Sequence, residues 1–599
     1  MRSLSISVLT FLTLAISVDL TTGCSSESPS EGEIRAFASD DQLDSYLAQI
    51  EAENASSGGC GSQTSAASFE SAGASPSASE NAEITNNQEA GVDEGGIVKN
   101  VGSSLVVLRK GRLFVADVGE GRAPSLTDSM RVARTEGLNQ GVWYDEMLVN
   151  GDLVYVIGYR YSSGQQGDQG VTGATEIDSF KLVNGKLTRL KSMYLESNDY
   201  YSGQDYASRM VGGKLVFYMP LYGRRKGSIR FPRVLEGFDD GSLRAVGPIF
   251  GGRDVSLPLT RPTSTTLHTV VQCDLGEAGE LACRGRAIVG DWWRAKYVSN
   301  DAVFLWATSH VYRIDLASLD VTAHAAEGMP LDQFSFRQTA DALLVASNPY
   351  YTNESKRAPA LLRLPLAAFD RVGKQTAQAT PLANEGIIYK NRFIGDVLVA
   401  AVHDGGRYYW QQSSNARTSL VAATAGGEVR RAEDGLVARI EPLGEGRALV
   451  AVQGESALTL RAIEVADPGR ALGSIALDGI RQGESRSHGF FYKPGVQGSG
   501  TFGYAIVNDP SVGAFGGWGN GISNLGFFDV SGGGAIAARG IIESGSVSGS
   551  CETSCTDWYG NTRPVFLRDR TFALMGSELA EVSLEPTATK GATVTLDAR

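Results

Sequence analysis

The residues that could do chemistry in this chain are few and dispersed. Its five histidines are His268, His310, His324, His403 and His488. None stands in an HxH or HExxH spacing that would suggest a metal site. Hydrolysis of the serine type needs a nucleophile, a base and an orienting acid that converge. His403 is followed by Asp404, but no serine lies in a strand–turn–helix elbow. No catalytic mechanism is evident, so the sequence favours a binding protein over an enzyme.

Metal ligands are equally sparse. The loop EGFDDGS (236–242) offers Asp239 and Asp240. One pair of acids is few for Ca²⁺, which takes about six to eight oxygen ligands. We therefore predict no metal and no cofactor, and calcium at an acidic loop is the weaker alternative.

A second acid pair, Asp93 and Glu94, lies in the stretch TNNQEAGVDEGGIVKN (85–100). The stretch follows a Ser, Ala and Gly-rich region and precedes the first strand-like run, SSLVVLRKGRLFVADV. Its glycines can take positive φ and turn the chain into a sheet. We predict that the two acids cap this turn by accepting hydrogen bonds from backbone or basic groups. A metal or ligand role is the alternative.

Aromatic residues occur in four polar segments: YRYSSGQQGDQG, ESNDYYSGQDY, GGRYYWQQSSNARTS and AFGGWGNGISN. Rings beside Asn, Gln, Ser and Gly suit recognition, because rings lose little entropy and amides adapt their hydrogen bonds. The candidate binding residues are Tyr200, Tyr201, Tyr408, Tyr409, Trp410 and Trp518. They would line one site if their segments lie on one face of the fold. The alternative is that the rings fold back on their own strands.

Cysteine usage is that of an exported protein. Cys273 and Cys283 flank a short loop between two strand-like runs, which predicts a disulfide across a hairpin. Cys551 and Cys555, in CETSC, are predicted to close a second small loop. A zinc site is the rival, but no CxxC or nearby histidine completes four ligands. Cys60 is left over and is interpreted as free.

The N-terminus is a targeting segment (1–23). Arg2 is followed by the apolar run LSISVLTFLTLAISV, too short to span a bilayer comfortably. Gly23-Cys24 then resembles the lipobox of bacterial lipoproteins, which implies that the Cys24 thiol carries a lipid. Ser25 is not the aspartate of enterobacterial inner-membrane retention, so we expect an extracytoplasmic protein anchored to the outer membrane.

Residues 24–90 have the composition of a flexible tether. One segment within it, residues 37–53, predicts a short amphipathic helix. Its residues Leu43, Tyr46, Leu47 and Ile50 fall on one face. Ser39 with Gln42 gives a capping-box pattern. We expect this helix to dock on the main body.

Residues 91–599 show short strands at close spacing, with Gly, Asn and Asp between them. Runs such as LVYVIG, AVFLWA and VLVAAV have no alternation, which is typical of strands buried on both faces. Units of four strands that recur about every 40 to 60 residues predict propeller blades. The sequence thus predicts an all-β fold, a β-propeller of about eight four-stranded blades, with seven or nine also fitting. The first and last units could share one blade.

The charge of the chain limits its partners. The net charge is -13, and nucleic-acid binding needs a basic surface. No segment beyond the N-terminus is long and apolar enough to cross a bilayer. We expect a monomer, bound to the membrane through its lipid alone, with an envelope protein or a glycan as partner.

Four stretches resemble a family of secreted bacterial proteins with a C-terminal β-propeller domain distantly related to WD-repeat propellers. They are the stretch 85–100, FASDDQLDSYL, SRMVGGKLVF and residues 462–494. This chain departs from the family at Gly95-Gly96, where the family has Ala-Asp. The resemblance implies fold and location but no enzymatic reaction. A lipid-anchored binding scaffold is therefore the main hypothesis, and an envelope hydrolase or lyase with its site in the propeller funnel is the alternative.

Overall fold

The fold is seen in a computed structural model. It describes residues 32–56, 84–134, 142–161, 173–198, 208–222, 224–225, 228–349, 358–404, 417–444, 446–508, 523–545 and 560–597. The predictions for Cys24, Cys60, Cys551, Cys555 and the six aromatic candidates fall outside these residues. In the described part of the chain, no helix is long and apolar enough to span a membrane.

One α-helix precedes the sheets. Helix α1 spans Asp40–Ser56, three residues later at each end than predicted. It starts there because the Gln42 amide donates to Ser39 Oγ at 3.2 Å, while the Phe37 amide donates to the Val255 carbonyl in an extended pairing. Its apolar face packs on the sheets as expected, with Leu43 and Leu47 fully buried.

The sheets follow one another along the chain as blades. Strand β1 (Val92–Glu94) comes first. Blade 1 contains β2 (Val98–Val101), β3 (Ser104–Arg109), β4 (Arg112–Asp117) and β5 (Ser125–Arg131). Blade 2 contains β6 (Val142–Asn150), β7 (Leu153–Tyr161), β8 (Gly173–Val183) and β9 (Lys186–Glu196).

Blade 3 is interrupted after its second strand. It begins with β10 (Ser208–Val211) and β11 (Lys214–Tyr222). The chain then forms β12 (Arg224–Arg225), β13 (Ser228–Ile229), β14 (Arg233–Gly237), β15 (Leu243–Pro248) and β16 (Val255–Ser256). Blade 3 is completed by β17 (Thr266–Leu275) and β18 (Leu281–Gly290). Strands β14 and β15 extend the outer edge of blade 2, so the excursion ties blades 2 and 3 together.

Blades 4 to 6 are regular. Blade 4 contains β19 (Arg294–Val298), β20 (Ala302–Ala307), β21 (His310–Asp315) and β22 (Val321–Ala325). Blade 5 contains β23 (Phe336–Gln338), β24 (Ala342–Ser347), β25 (Ala360–Pro365) and β26 (Gln378–Pro381). Blade 6 contains β27 (Ile387–Ile394), β28 (Val397–Asp404), β29 (Arg417–Thr424) and β30 (Val429–Asp434).

Three more blades complete the series. Blade 7 contains β31 (Leu436–Pro442), β32 (Arg447–Gln453), β33 (Ala457–Glu464) and β34 (Asp467–Asp478). Blade 8 has a first strand in two pieces, β35 (Arg481–Gln482) and β36 (Phe490–Pro494), followed by β37 (Gly500–Val507), β38 (Asn524–Val530) and β39 (Ile536–Ile542). Blade 9 contains β40 (Thr562–Leu567), β41 (Arg570–Met575), β42 (Glu578–Ser583) and β43 (Thr589–Thr595).

Nine apolar cores join each blade to the next and blade 9 to blade 1. Alternate residues of a strand therefore serve opposite neighbours. Leu105 and Val107 of β3 pack towards blade 9, whereas Val106 and Leu108 pack towards blade 2. This explains the continuous apolar runs in the sequence. The predicted all-β propeller of four-stranded blades is confirmed, with nine blades in the described residues.

The ring closes between two complete blades. All four strands of blade 1 come from residues 98–131 and all four of blade 9 from residues 562–595, so the two do not share a blade as suggested. Side chains hold the seam instead. Arg570 donates to the carbonyls of Val118 and Gly119, and Arg568 donates to the carbonyl of Gly102.

The predicted disulfide between Cys273 and Cys283 is present. The two residues are register partners on β17 and β18. The bond therefore links the two strands of the outer hairpin of blade 3, β17 and β18, as the spacing around the short loop indicated.

Candidate functional site

The centre of the ring is filled by the chain itself. In every blade except blade 3 the first strand lies at one edge of the sheet, and these inner edges meet at the axis; in blade 3, β1 is added inside the first strand. Residues 84–97, which we call the plug, contact blades that lie on opposite sides of the ring. The partners outside blade 1 include Met147, Arg209, Asn300, Gln333, Glu441 and Ser487. Residues 84–90 had been assigned to the tether, yet Thr85, Asn86 and Asn87 are buried at this axis.

Backbone pairing holds the middle of the plug. Strand β1 adds to β10 in antiparallel register, with Val92 opposite Val211 and Glu94 opposite Arg209. The plug is thus an extra innermost strand of blade 3. Its backbone donors and acceptors are matched there by a ladder, as burial requires.

Lys99 on β2 anchors the plug through charge. Its ammonium donates to both carboxylate oxygens of Asp93, at 2.7 and 2.9 Å, and to the Glu94 carbonyl at 2.7 Å. A fourth contact, to Thr85 Oγ1, is 3.2 Å long. The Lys99 side chain is fully buried and that of Asp93 is nearly so. One cation therefore joins both ends of the plug to blade 1.

Glu94 reaches a different set of partners. Its carboxylate lies 3.6 Å from the Arg209 guanidinium, accepts from the Gln88 amide at 3.2 Å, and lies 3.5 Å from His488 Nε2. Burial alone would raise the pKa of Glu94, but Arg209 and His488 outweigh it and the pKa is lowered. Burial lowers the pKa of His488 to about 4, so its ring is neutral at pH 7.

Glu89 ties the plug to blades 4 and 5. Its carboxylate accepts from Tyr297 Oη at 2.6 Å and pairs with Arg337 at 3.0 Å. Asn86 reaches the far side, where its amide donates to the Ser487 carbonyl at 3.1 Å and lies 3.4 Å from Glu441. Each of the three acids of the plug thus has basic or hydrogen-bonding partners in the blades, although Glu94 Oε2 has no hydrogen-bond partner in the described structure.

Close packing explains two glycines of the plug. A Cβ at Gly95 would lie 2.9 Å from Glu146 Cβ and closer still to its carboxylate. Glu146 is itself fixed, because it accepts from the Ser208 amide and hydroxyl. A Cβ at Gly91, which has φ of 80°, would overlap Asn300. Glu146 therefore leaves no room for a side chain at position 95, where the family resembled by this stretch has Ala.

Sequence reasoning missed a set of buried or half-buried cations on first strands, three of which pair with acids of the plug. Several first strands carry Lys or Arg three residues before their turn, in the segments KNVG, RMVG, KYVS, RQTA and RFIG. These cations are Lys99, Arg209, Lys296, Arg337 and Arg392. A charged residue inside an apolar strand is rarely buried unless it has a partner. This repeated basic position could have indicated an acidic segment at the axis.

Arg392 differs from the other four cations. Its side chain is fully buried and stacks over Phe334 at 4.6 Å, but its three nitrogens have no hydrogen-bond partner in the described structure. Burial lowers the pKa of Arg392 to about 10, with Glu441 and Glu94 opposing the shift. The guanidinium stays charged at neutral pH and is balanced by carboxylates that it does not touch.

The histidines other than His488 contact hydroxyl groups, carbonyls and aromatic rings in the described structure. His268 bonds Tyr218 Oη and the Asp291 carbonyl, each at 2.7 Å. His310 Nδ1 lies 3.2 Å from Ser309 Oγ, but no carboxylate contacts this ring in the described structure. His324 contacts the Ala325 carbonyl and the Phe369 ring, and His403 contacts the Tyr389 ring.

The acidic loop considered for calcium is used as a turn. Asp240 accepts from the Ser242 amide at 2.9 Å, and Asp239 pairs with Arg134 at 2.6 Å. Among the residues that the structure describes, no group of three or more His, Cys, Asp or Glu side chains is placed to hold a metal ion.

The described strands show the edge of the ring at which each aromatic segment is attached. In an antiparallel blade, the connection from second to third strand and the connection to the next blade leave from the same edge. We call this edge of the ring the upper face. The candidate segments join β7 to β8, β9 to β10, β28 to β29 and β37 to β38, which are all connections of these two kinds. Tyr200, Tyr201, Tyr408, Tyr409, Trp410 and Trp518 themselves lie outside the described residues, and the strand order gives only the edge from which the flanking strands enter and leave their segments.

Comparison with known proteins agrees with this architecture. The family model "Beta propeller domain" matches residues 83–400. A search of curated proteins gave no match.

Solved structures show only a distant likeness. A puromycin-hydrolyzing peptidase of Mycobacterium tuberculosis is 13% identical with a TM-score of 0.26, over 62% of this chain and 50% of that chain. Oligopeptidase B of Leishmania major is 9% identical with a TM-score of 0.31, over 69% and 53%. This chain spans about half the length of those peptidases. Such values say nothing about activity. The family model, in contrast, covers more than half of the sequence and starts at the plug, so the chain belongs to the beta propeller domain family.

Proposed function

We propose that this chain is a lipid-anchored β-propeller of the cell envelope that binds a protein or a glycan at its upper face. The observation that carries the proposal is the filled axis. Plug residues with matched charges occupy the place that an active site in the funnel would need. Recognition is then left to the outer surfaces of the ring, and this favours the binding hypothesis over a hydrolase or lyase.

The unequal connections of the two faces add support. Lower-face turns between first and second strands are short, such as residues 102–103, 151–152 and 395–396. Upper-face connections include residues 162–172, 405–416 and 508–523, which carry the aromatic and amide side chains. Loops on a rigid scaffold are where binding residues are usually found.

The binding proposal predicts that deletion of Tyr408–Trp410 removes the partner. A tagged protein would be used to capture binders from a cell-envelope extract, analysed for both proteins and glycans. The matched control deletes Lys374–Thr376, in the lower-face connection between β25 and β26. We expect at least a tenfold loss of the captured partner for the first deletion and none for the control. Unchanged capture by both variants would contradict the proposal.

The anchor proposal predicts that Cys24→Ala releases the protein from membranes. The thiol of Cys24 is the acceptor for the lipid, so the Ala variant has nothing to hold it in the bilayer. Fractionation of cells into soluble and membrane fractions measures the effect. Cys60→Ala is the control and should stay in the membrane fraction. Retention of Cys24→Ala in that fraction would rule out the lipid anchor.

A further inference from the structure

The described part of the upper face has an aromatic and cationic group at the seam between blades 3 and 4. Tyr222 ends β11, and Trp292 lies in the connection from β18 to β19. Both side chains are almost half exposed, at 45% and 46%. Tyr, Trp and Arg side chains are enriched where proteins contact their partners.

Side-chain direction brings these residues to the same seam. Tyr218 and Tyr222 are four apart on β11 and therefore point to the same side of that strand. Tyr218 packs in the core between blades 3 and 4, so Tyr222 faces that seam above it. From blade 4, the Arg294 guanidinium lies 5.5 Å from the Tyr218 ring and 5.8 Å from the Trp292 ring. A cation thus stands between a buried ring and an exposed one.

Arg294 has no carboxylate partner within the described residues. Its guanidinium has a side-chain hydrogen bond with Tyr218 and a long contact of 3.5 Å to the Trp292 carbonyl. The nearest acid in sequence, Asp291, is occupied by the Thr263 amide and hydroxyl and by Thr308 Oγ1, at 2.6 to 2.9 Å. The guanidinium therefore keeps donors that can pair bidentately with an external carboxylate.

A second exposed pair of an aromatic ring and an arginine has a carboxylate partner for its arginine. Arg244 lies 5.3 Å from the Phe238 ring, which is 38% exposed, but its guanidinium is bonded to Glu236. In each pair an arginine lies over an exposed aromatic ring. The pairs differ in whether a carboxylate of the protein neutralises the arginine. The Trp292 pair is the one that is left with an unmatched charge.

We propose that Tyr222, Trp292 and Arg294 bind an acidic sugar unit, a pyranose that carries a carboxylate. The flat C–H face of the ring packs on the Trp292 indole, and the sugar carboxylate pairs with Arg294. The inference rests on the proposed binding function of the upper face and names the ligand class for it. Trp and Arg are also the residues that most often dominate binding energy at interfaces.

The test is calorimetric titration of the soluble chain, without its signal peptide, with trigalacturonate. Cellotriose serves as the neutral sugar and poly-glutamate as the acidic peptide. We expect trigalacturonate to bind and the other two to bind at least tenfold more weakly. Trp292→Ala should weaken binding of trigalacturonate at least tenfold. Arg294→Gln should remove the preference over cellotriose, and Arg294→Lys should retain part of it.

Control variants separate a lost contact from a lost fold. Phe238→Ala and Arg244→Gln should bind trigalacturonate like the parent, and all variants should keep the parent's melting temperature within a few degrees. Equal binding by Trp292→Ala, or stronger binding of poly-glutamate than of the sugar, would overturn the proposal. Absence of binding by the parent would overturn it as well. Loss of the captured partner on deletion of Tyr408–Trp410 would still support the upper-face function in each of these cases.

Discussion

Lys99→Met should lower the free energy of unfolding by about 3–5 kcal/mol, the range for breaking a buried ion pair by removing one partner. Methionine keeps the length of the side chain but cannot donate to Asp93, Thr85 or the Glu94 carbonyl. The Asp93 carboxylate would then lie almost buried with no cation beside it. The midpoint of urea unfolding, with the slope checked for constancy, measures the change.

The control uses an ion pair of similar length at the surface. Lys214 pairs with Asp274 at 2.6 Å, with side chains 40% and 63% exposed. Lys214→Met should cost no more than about 1 kcal/mol, because water screens exposed pairs. Adding Asp93→Asn to Lys99→Met should recover part of the lost stability, since the unmatched charge is gone. Equal costs at Lys99 and Lys214 would show that the plug is not held by charge.

Gly95→Ala is the second change with a large expected effect. The new methyl group would collide with the Glu146 side chain, which Ser208 holds in place. Overpacking of this kind costs about 1–3 kcal/mol. Thermal and urea unfolding should both show the loss, and the plug should become more accessible to proteases that cut at its Glu and Asn residues.

Gly247→Ala is the matched control, because a Cβ there meets nothing within 4 Å and the residue lies on β15. It should leave stability nearly unchanged. Glu146→Ala combined with Gly95→Ala should cost less than the sum of the two single changes, because it removes the Glu146 carboxylate, which is the closest group to the new methyl, and leaves only the Cβ of residue 146 in contact. Strict additivity would mean that Gly95 and Glu146 are not in contact.

The propeller was predictable because its signals are local. Buried strands read as continuous apolar runs, and turns such as GSS, NG and IGD separate them. The number of blades was harder to read. The first strand of blade 8 is divided between β35 and β36, and residues 223–265 leave blade 3 before it is complete. Both features blur the four-strand rhythm from which blades were counted.

The plug was not predictable as a buried segment. Its sequence is polar, and polar segments next to a Ser and Gly-rich stretch normally remain in water. What buries it is a set of partners far away in the chain, such as Glu441 for Asn86 and Arg337 for Glu89. The acid pair was predicted to accept hydrogen bonds at a turn. The structure places Asp93 against Lys99 and Glu94 near Arg209. Both acids therefore lie at the axis of the ring.

The way in which the ring closes bears on how such proteins change over time. Blades 1 and 9 each contain all of their own strands, and the seam between them relies on side chains and not on a shared sheet. Duplication or loss of a regular unit, such as one of blades 4 to 7, would therefore leave the backbone ladders of the other blades intact. Only the fit around the axis would have to adjust, and a polar plug with several small contacts can be lengthened or trimmed residue by residue. We therefore expect the number of regular blades to change readily during evolution. Each change would require a matching change in the length or contacts of the axial segment.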